Sequence, residues 1–301
     1  MRRVARSRPA TANIVGNSAD ITRCSVPVTA ASRGGRGDSA HVVRRLGSVP
    51  RMLLVEDPAV DVPTPTGPMR TYLYRPVPAQ GTKGPERFPA LVLYSEIFHR
   101  TAPIHRTATM LAGHGFLVAV PEIFHEYEPA GSVLSYDKPG TDRGNQLKVT
   151  KPVAAHDSDA RALLDHLTSH PHCTGALGAM GICIGGHLAF RAAMQPDVRG
   201  TACFYATDLH EGSLGTGDDS LARTGAIHGE LMMVWGRQDP HVPDQGRALI
   251  SRRLVEAGVT FTWHEHNAQH AFLRDEGPRY DPALALLSYR QVVDLMTRLL
   301  R

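Results

Sequence analysis

The chain has 301 residues, 42% hydrophobic and 21% charged. It lacks any run near the roughly 18 apolar residues that would cross a bilayer, so a globular protein is expected rather than a membrane-spanning one. The net charge of +4 is uneven: residues 1–51 hold ten Arg and two Asp, a net of +8, which leaves the remainder at −4. That mild acidity argues against a nucleic-acid-binding surface on the folded part. Four cysteines with no C-x-x-C pair exclude a zinc knuckle, a thioredoxin-type motif and a disulfide scaffold, and fit a reducing, cytoplasmic compartment.

Residues 1–51 are rich in Arg, Ser, Ala and Gly without apolar periodicity. Three readings stay open for them: a disordered basic extension, an organelle transit segment, or an over-extended reading frame ahead of a true start at Met52. From Met52 the texture changes, and 52–301 is expected to be one α/β domain. Strands are predicted at 69–75, 89–95, 116–121, 176–181, 200–205, 230–236 and 260–266. Helical patterns fall near 102–114, 151–169, 184–195, 245–257 and 282–300, the last capped by Asp281 with Pro282 in its first turn. The alternation implies a mostly parallel sheet with helices on both faces. Two polar, Gly-rich stretches, 122–150 and 207–229, read as long loops at the carboxyl ends of strands, where open sheets bind ligands.

The stretch GICIGG, residues 181–186, carries the strongest chemical signal. A nucleophile on a sharp strand-to-helix turn needs small neighbours two positions away, which is the content of G-x-S-x-G; here Cys183 replaces the serine. The helix N-terminus favours thiolate, and the Ile184 N–H is aimed to hold an oxyanion. Taken alone, the six residues also admit a buried structural cysteine followed by a Gly-rich helix start. The order nucleophile, acid, histidine then brings in Asp239, just past the strand 230–236, and His270, just past 260–266. Asp239 would orient His270, which would face the thiol. His264 and His266 invite a metal reading with His270, but no helical H-E-x-x-H pattern supports it, and no metal or other cofactor is expected. His99, His105, His114 and His125 read as loop, surface or pocket residues, and His187 as a packing residue.

Four motifs in order, YSEIF at 94–98, GICIGG, GRQDPHVP at 236–243 and AQHAFLR at 268–274, resemble the dienelactone hydrolase family over about 52–301. The resemblance implies an α/β-hydrolase fold and a Cys183–His270–Asp239 triad. It implies that Glu96 interacts with the resting thiol and helps generate the thiolate, that the Ile97 N–H is the second oxyanion donor, and that Arg274 holds a substrate carboxylate. A second carboxylate-binding arginine of the family has no match: Glu126 stands near its place, with His125, Arg143 or Lys148 as substitutes. The expected activity is hydrolysis of a small-molecule lactone or activated ester through a thioester, the substrate carrying a carboxylate in the family pattern. A thioesterase, a small-ester esterase and a non-catalytic ligand-binding domain are the alternatives. Oligomeric state is not legible.

Overall fold

The computed structural model describes residues 54–77 and 86–301; the expectations for residues 1–51 lie outside the described residues. Seven strands fall where the sequence places them: Gly67–Pro76, Phe88–Tyr94, Leu117–Pro121, Cys173–Ile182, Val198–Phe204, Glu230–Gly236 and Phe261–His266. Two more precede them, Leu54–Glu56 and Val60–Thr64. In chain order the nine are β1 to β9, and they form one sheet in the order β1-β3-β5-β4-β6-β7-β8-β9, with β2 also on β3. β4 to β9 run parallel, while β1, β2 and β5 each pair antiparallel with β3. β2 escapes sequence reading because VDVPT is short and holds Pro63, yet a hairpin tolerates both.

The helices are α1 (Ala102–Gly113), α2 (Lys138–Thr150), α3 (Val153–Ser169), α4 (Ile184–Ala192), α5 (Asp244–Glu256) and α6 (Pro282–Leu300). Side chains alternate along each strand, so each face of the sheet buries its own core. Ala90, Val92 and Ala179 pack under Leu163 and Leu167 of α3 and Leu188 of α4. Leu91, Leu93 and Met180 pack under Leu111 of α1 and Val292 and Met296 of α6. Each large side chain so buried stabilises the fold by roughly 1.5–3 kcal/mol. Asp281 caps α6 as expected, accepting from the Leu284 N–H at 2.9 Å. No helix among the described residues is long and apolar enough to cross a membrane.

From β4 the chain passes to β5 on one side and later to β6 on the other. Between the carboxyl ends of β4 and β6 lies a topological switch point, where crevices form in such sheets. The segment 122–150 covers it. It was expected to be a long loop, and that expectation is corrected: its second half is α2. KPGTDRGNQLKVT disguises a helix because Gly140 and Gly144 read as breakers. Here they are contact points. A Cβ on Gly144 would lie 2.8 Å from Ile97 Cβ and 2.9 Å from Ile97 O, and one on Gly140 2.1 Å from Ser135 O. Asp137 caps the helix by accepting from the Gly140 N–H at 2.8 Å. The other stretch, 207–229, is irregular apart from one 3-10 turn at Thr224–Ala226.

Gly144→Val forces α2 off Ile97, an overpacking that costs about 1–3 kcal/mol. Thermal unfolding should show Tm lower by roughly 2–4 °C for each of those kcal/mol. An unchanged Tm would mean that α2 does not depend on this contact.

Candidate active site

β6 stops at Ile182 and α4 starts at Ile184, so Cys183 alone makes the turn. Its backbone lies at φ 63° and ψ −123°, a strained region costing on the order of 1–3 kcal/mol. The Cys183 N–H donates to Phe204 O at 3.1 Å, and Cys183 O accepts from the Gly186 N–H at 2.9 Å. The glycines are steric requirements. A Cβ on Gly181 would fall 1.7 Å from Gly185 O, one on Gly185 2.3 Å from Tyr94 O, and one on Gly186 2.7 Å from Phe204 O. Ile184 opens α4, so its N–H has no acceptor one turn back. The Ile97 N–H, in the turn after β4, likewise donates to no group among the described residues.

The parallel register brings the remaining residues to the same edge. Tyr94 pairs with Gly181, Ile182 with Phe204, and Gly236 with His266, so the loops that follow open onto one crevice. Asp239 is buried in the turn after β8, and its Oδ2 accepts from His270 Nδ1 at 2.7 Å. Its Oδ1 accepts from the His241 N–H at 2.8 Å, which fixes the carboxylate plane. The imidazole of His270 is held edge-on by Tyr205 and His241, with ring centroids 4.8 and 4.6 Å away. With Nδ1 committed to Asp239, Nε2 is left for the thiol. Burial pulls the pKa of His270 down, but the charge of Cys183 and the hydrogen bond and charge of Asp239 outweigh it and raise it to about 10.

Glu96 lies buried beyond the end of β4. Its Oε2 accepts from the Tyr136 hydroxyl at 3.1 Å and faces Arg274 Nη1 at 4.0 Å, while Oε1 takes no hydrogen bond among the described residues. No hydrogen bond joins Glu96 to the thiol. Tyr136 in turn meets the Thr101 hydroxyl at 2.7 Å, which is why Thr101 leads α1 without capping it. Arg274 stacks over Tyr136, with its guanidinium carbon 4.4 Å from the ring centre.

These groups line a cavity of about 600 Å³ that holds Cys183, His270, Glu96, Ile97 and Arg274 together. Of the residues considered for the missing arginine, only Lys148, on α2, reaches the cavity. Arg143 is bound to Glu128 at 2.6 Å outside it. Glu126 turns away to the buried ammonium of Lys151, 2.8 Å off. His125, Glu126 and Asp159 are the one acidic-and-imidazole cluster among the described residues with metal-like spacing. Lys151 already supplies its cation, touching both Glu126 and Asp159. His264 and His266 stack on β9 and do not join His270 in the cavity. His99 donates from Nδ1 to Ser132 O at 3.0 Å, and His105 meets the Tyr74 hydroxyl at 3.0 Å; neither lines the cavity, nor does the exposed His114. His187 is fully buried and packs, its Nδ1 donating to Thr207 O at 2.9 Å.

Sequence reasoning passed over Tyr136, Tyr205 and His241 as site residues. Tyr205 had a faint signal, as the aromatic that ends a strand beside the nucleophile. Tyr136 had none, because its place depends on α2, which was not foreseen.

A model of the dienelactone hydrolase family matches residues 69–300. A Saccharomyces cerevisiae protein described as a candidate carboxymethylenebutenolidase is 39% identical over 242 residues, 77% of this chain and 88% of that protein. A carboxymethylenebutenolidase of a Pseudomonas species is 23% identical over 225 residues, 74% of this chain and 88% of that protein. The crystal structure of a candidate dienelactone hydrolase from Klebsiella pneumoniae superposes with a TM-score of 0.67 at 18% identity, covering 82% of this chain and 99% of the other. With an α/β-hydrolase sheet, a cysteine alone at the turn from β6 into α4 and a family match over most of its length, this chain belongs to the dienelactone hydrolase family.

Proposed function

We propose that the chain hydrolyses small lactones and activated esters, with Cys183 as the nucleophile, His270 as the base and Asp239 as its orienting acid. This reading rests on the convergence in one cavity of the Cys183 turn, the His270–Asp239 hydrogen bond of 2.7 Å, and two N–H groups without acceptors, on Ile184 and Ile97.

In the first half-reaction His270 Nε2 takes the thiol proton and the thiolate attacks the carbonyl carbon. The carbonyl oxygen becomes an oxyanion held by the Ile184 and Ile97 N–H groups. Collapse breaks the C–O bond, and His270 returns the proton to the leaving alkoxide or enolate, leaving an acyl thioester on Cys183. In the second, His270 deprotonates a water, the hydroxide attacks the thioester, and the thiolate departs as the acid forms. Asp239 stabilises the imidazolium between the two proton transfers. None of these steps draws on a metal or an organic cofactor. A thiolate leaves a tetrahedral adduct more readily than a simple alkoxide does, so substrates with enolate-like leaving groups are favoured.

Glu96 is the auxiliary proton acceptor in this scheme. Tyr136 and Arg274 hold its Oε2, and the unengaged Oε1 is the oxygen that can take the thiol proton in place of His270 when substrate fills the cavity, His270 then acting in the second half-reaction. Arg274 balances the charge of that buried carboxylate and lines the substrate space beside it.

Cys183→Ala should lower kcat/KM on p-nitrophenyl acetate and on an enol-lactone by at least about 10³, and Asp239→Asn by about 10²–10⁴. Full activity in Cys183→Ala would overturn the assignment. A second prediction concerns pH. The pKa of folded His270, about 10, lies above the ordinary 6.5, so its protonated form adds stability that is full below 6.5 and is lost as pH rises through about 10. The Cys183 charge is the leading cause raising it, so in Cys183→Ala the ring titrates at lower pH and the alkaline loss begins earlier. Imidazole NMR titration measures this directly; an unchanged titration would contradict the coupling.

A further inference from the structure

Behind the substrate cavity, between α1 and the end of β6, lies a second cavity of about 10 Å³. Ile104 and Ile182 give it apolar walls, while Glu96, Thr107, Tyr205 and Arg274 bring polar side chains to it. Glu96 and Arg274 are the only described residues that line both cavities, so this pair forms the partition between them. Whatever binds behind Glu96 therefore acts on the carboxylate that serves the thiol.

The polar groups around the small cavity do not satisfy one another. Thr107 is engaged: its hydroxyl donates to Pro103 O at 3.0 Å and meets the Tyr289 hydroxyl at 2.9 Å. Tyr205 is fully buried, yet its hydroxyl proton reaches no acceptor among the described residues. The Leu273 N–H beside that oxygen can only donate. Burial, and then the charge of Glu96, push the Tyr205 pKa well above the usual 10, so the group stays a donor throughout the working pH range. Arg274 Nε is likewise buried without a partner, and Glu96 Oε1 takes no hydrogen bond among the described residues. A buried hydroxyl with no acceptor is costly. A cavity of this size takes one water, and a buried water ordinarily makes about three hydrogen bonds. Two donors and one carboxylate oxygen are the partners it needs: it accepts from Tyr205 and Arg274 and donates to Glu96.

We propose that a single bound water joins the Tyr205 hydroxyl and Arg274 Nε to Glu96 Oε1, and that Tyr205 is thereby a positioning residue for the carboxylate that serves the thiol. Tyr136 holds one Glu96 oxygen from the substrate side, and Tyr205 holds the other from behind. A carboxylate oxygen has two lone pairs, so Oε1 keeps one for the thiol proton. Tyr205 then supports both proton acceptors, its ring edge-on to His270 at 4.8 Å and its hydroxyl at the cavity behind Glu96. The kinetic role rests on the hydrolase reading above.

Two measurements test it, the first needing no variant. A crystal structure of the ligand-free protein, at a resolution that shows ordered solvent, should place one water within about 3.2 Å of both Tyr205 Oη and a Glu96 carboxylate oxygen. A dry cavity, or a water that does not touch Glu96, overturns the proposal. The second is a double-mutant cycle read by stopped flow. Tyr205→Phe keeps the ring against His270 and removes only the donor. With p-nitrophenyl acetate it should slow the acylation burst by about three- to tenfold, and deacylation much less. In a Glu96→Gln background the same change should cost nothing further. An equal loss in both backgrounds, a loss shared equally by the two steps, or no loss at all overturns the proposal. Failure of the hydrolase reading is distinguishable: wild type would then show no Cys183-dependent burst, while the crystal structure would still report on the water.

Discussion

Cys183 keeps its backbone at φ 63° because three glycines let the ends of β4, β6 and β7 close around the turn. The other non-glycine residues with positive φ among those described are His99, Tyr205, Asp208 and Ala271. All follow carboxyl ends of parallel strands at this crevice: His99 after β4, Tyr205 and Asp208 after β7, and Ala271 next to His270. Backbone strain is therefore concentrated on the one edge that carries the proposed site, and the packed sheet beneath it supplies the stability that tolerates it. Relaxing the turn would move the thiol and the Ile184 N–H together, since they are adjacent on the chain.

A second layer of buried charge fixes the loops that wall the cavity. Arg191 on α4 donates to Asp157 at 2.7 Å, to Asp219 at 2.9 Å and to the Ser220 hydroxyl at 2.8 Å. His187, one turn earlier on the same helix, lies 2.6 Å from that hydroxyl and donates to Thr207 O. The irregular stretch 207–229 is thus tied to the helix that begins just after Cys183. On the opposite side Lys151 gathers Glu126, Asp159 and Ile123 O, and so anchors the strand exit that leads towards α2. Removing one partner from such networks is strongly destabilising, because the other charge stays buried. Their value to the site lies in holding Asp208 and α2 in place.

Residues whose signal is local were readable from sequence. The G-x-C-x-G-G turn is a steric statement about three glycines. Asp239 and His270 announce themselves by following strands in the required order, and the parallel register then brings them to 2.7 Å. The strands themselves were legible because both faces are buried, which makes near-continuous apolar runs. What escaped depends on contacts between distant segments. α2 has a weak apolar stripe and two glycines, and only the surfaces of Ser135 and Ile97 explain them. The turning of Glu126 towards Lys151 likewise required the fold. Glu96 was placed through a family resemblance; its hold by Tyr136 could not be read from either segment alone.

The account centres on a covalent thioester at Cys183, formed and broken by one imidazole. Acid-quenching the protein during turnover of an activated ester and mapping the acyl mass by peptide mass spectrometry tests this directly. The predicted result is a single acyl adduct on the peptide containing Cys183, absent when Cys183 is alkylated beforehand. Steady turnover with no adduct there, or with the acyl group on a different residue, would contradict it.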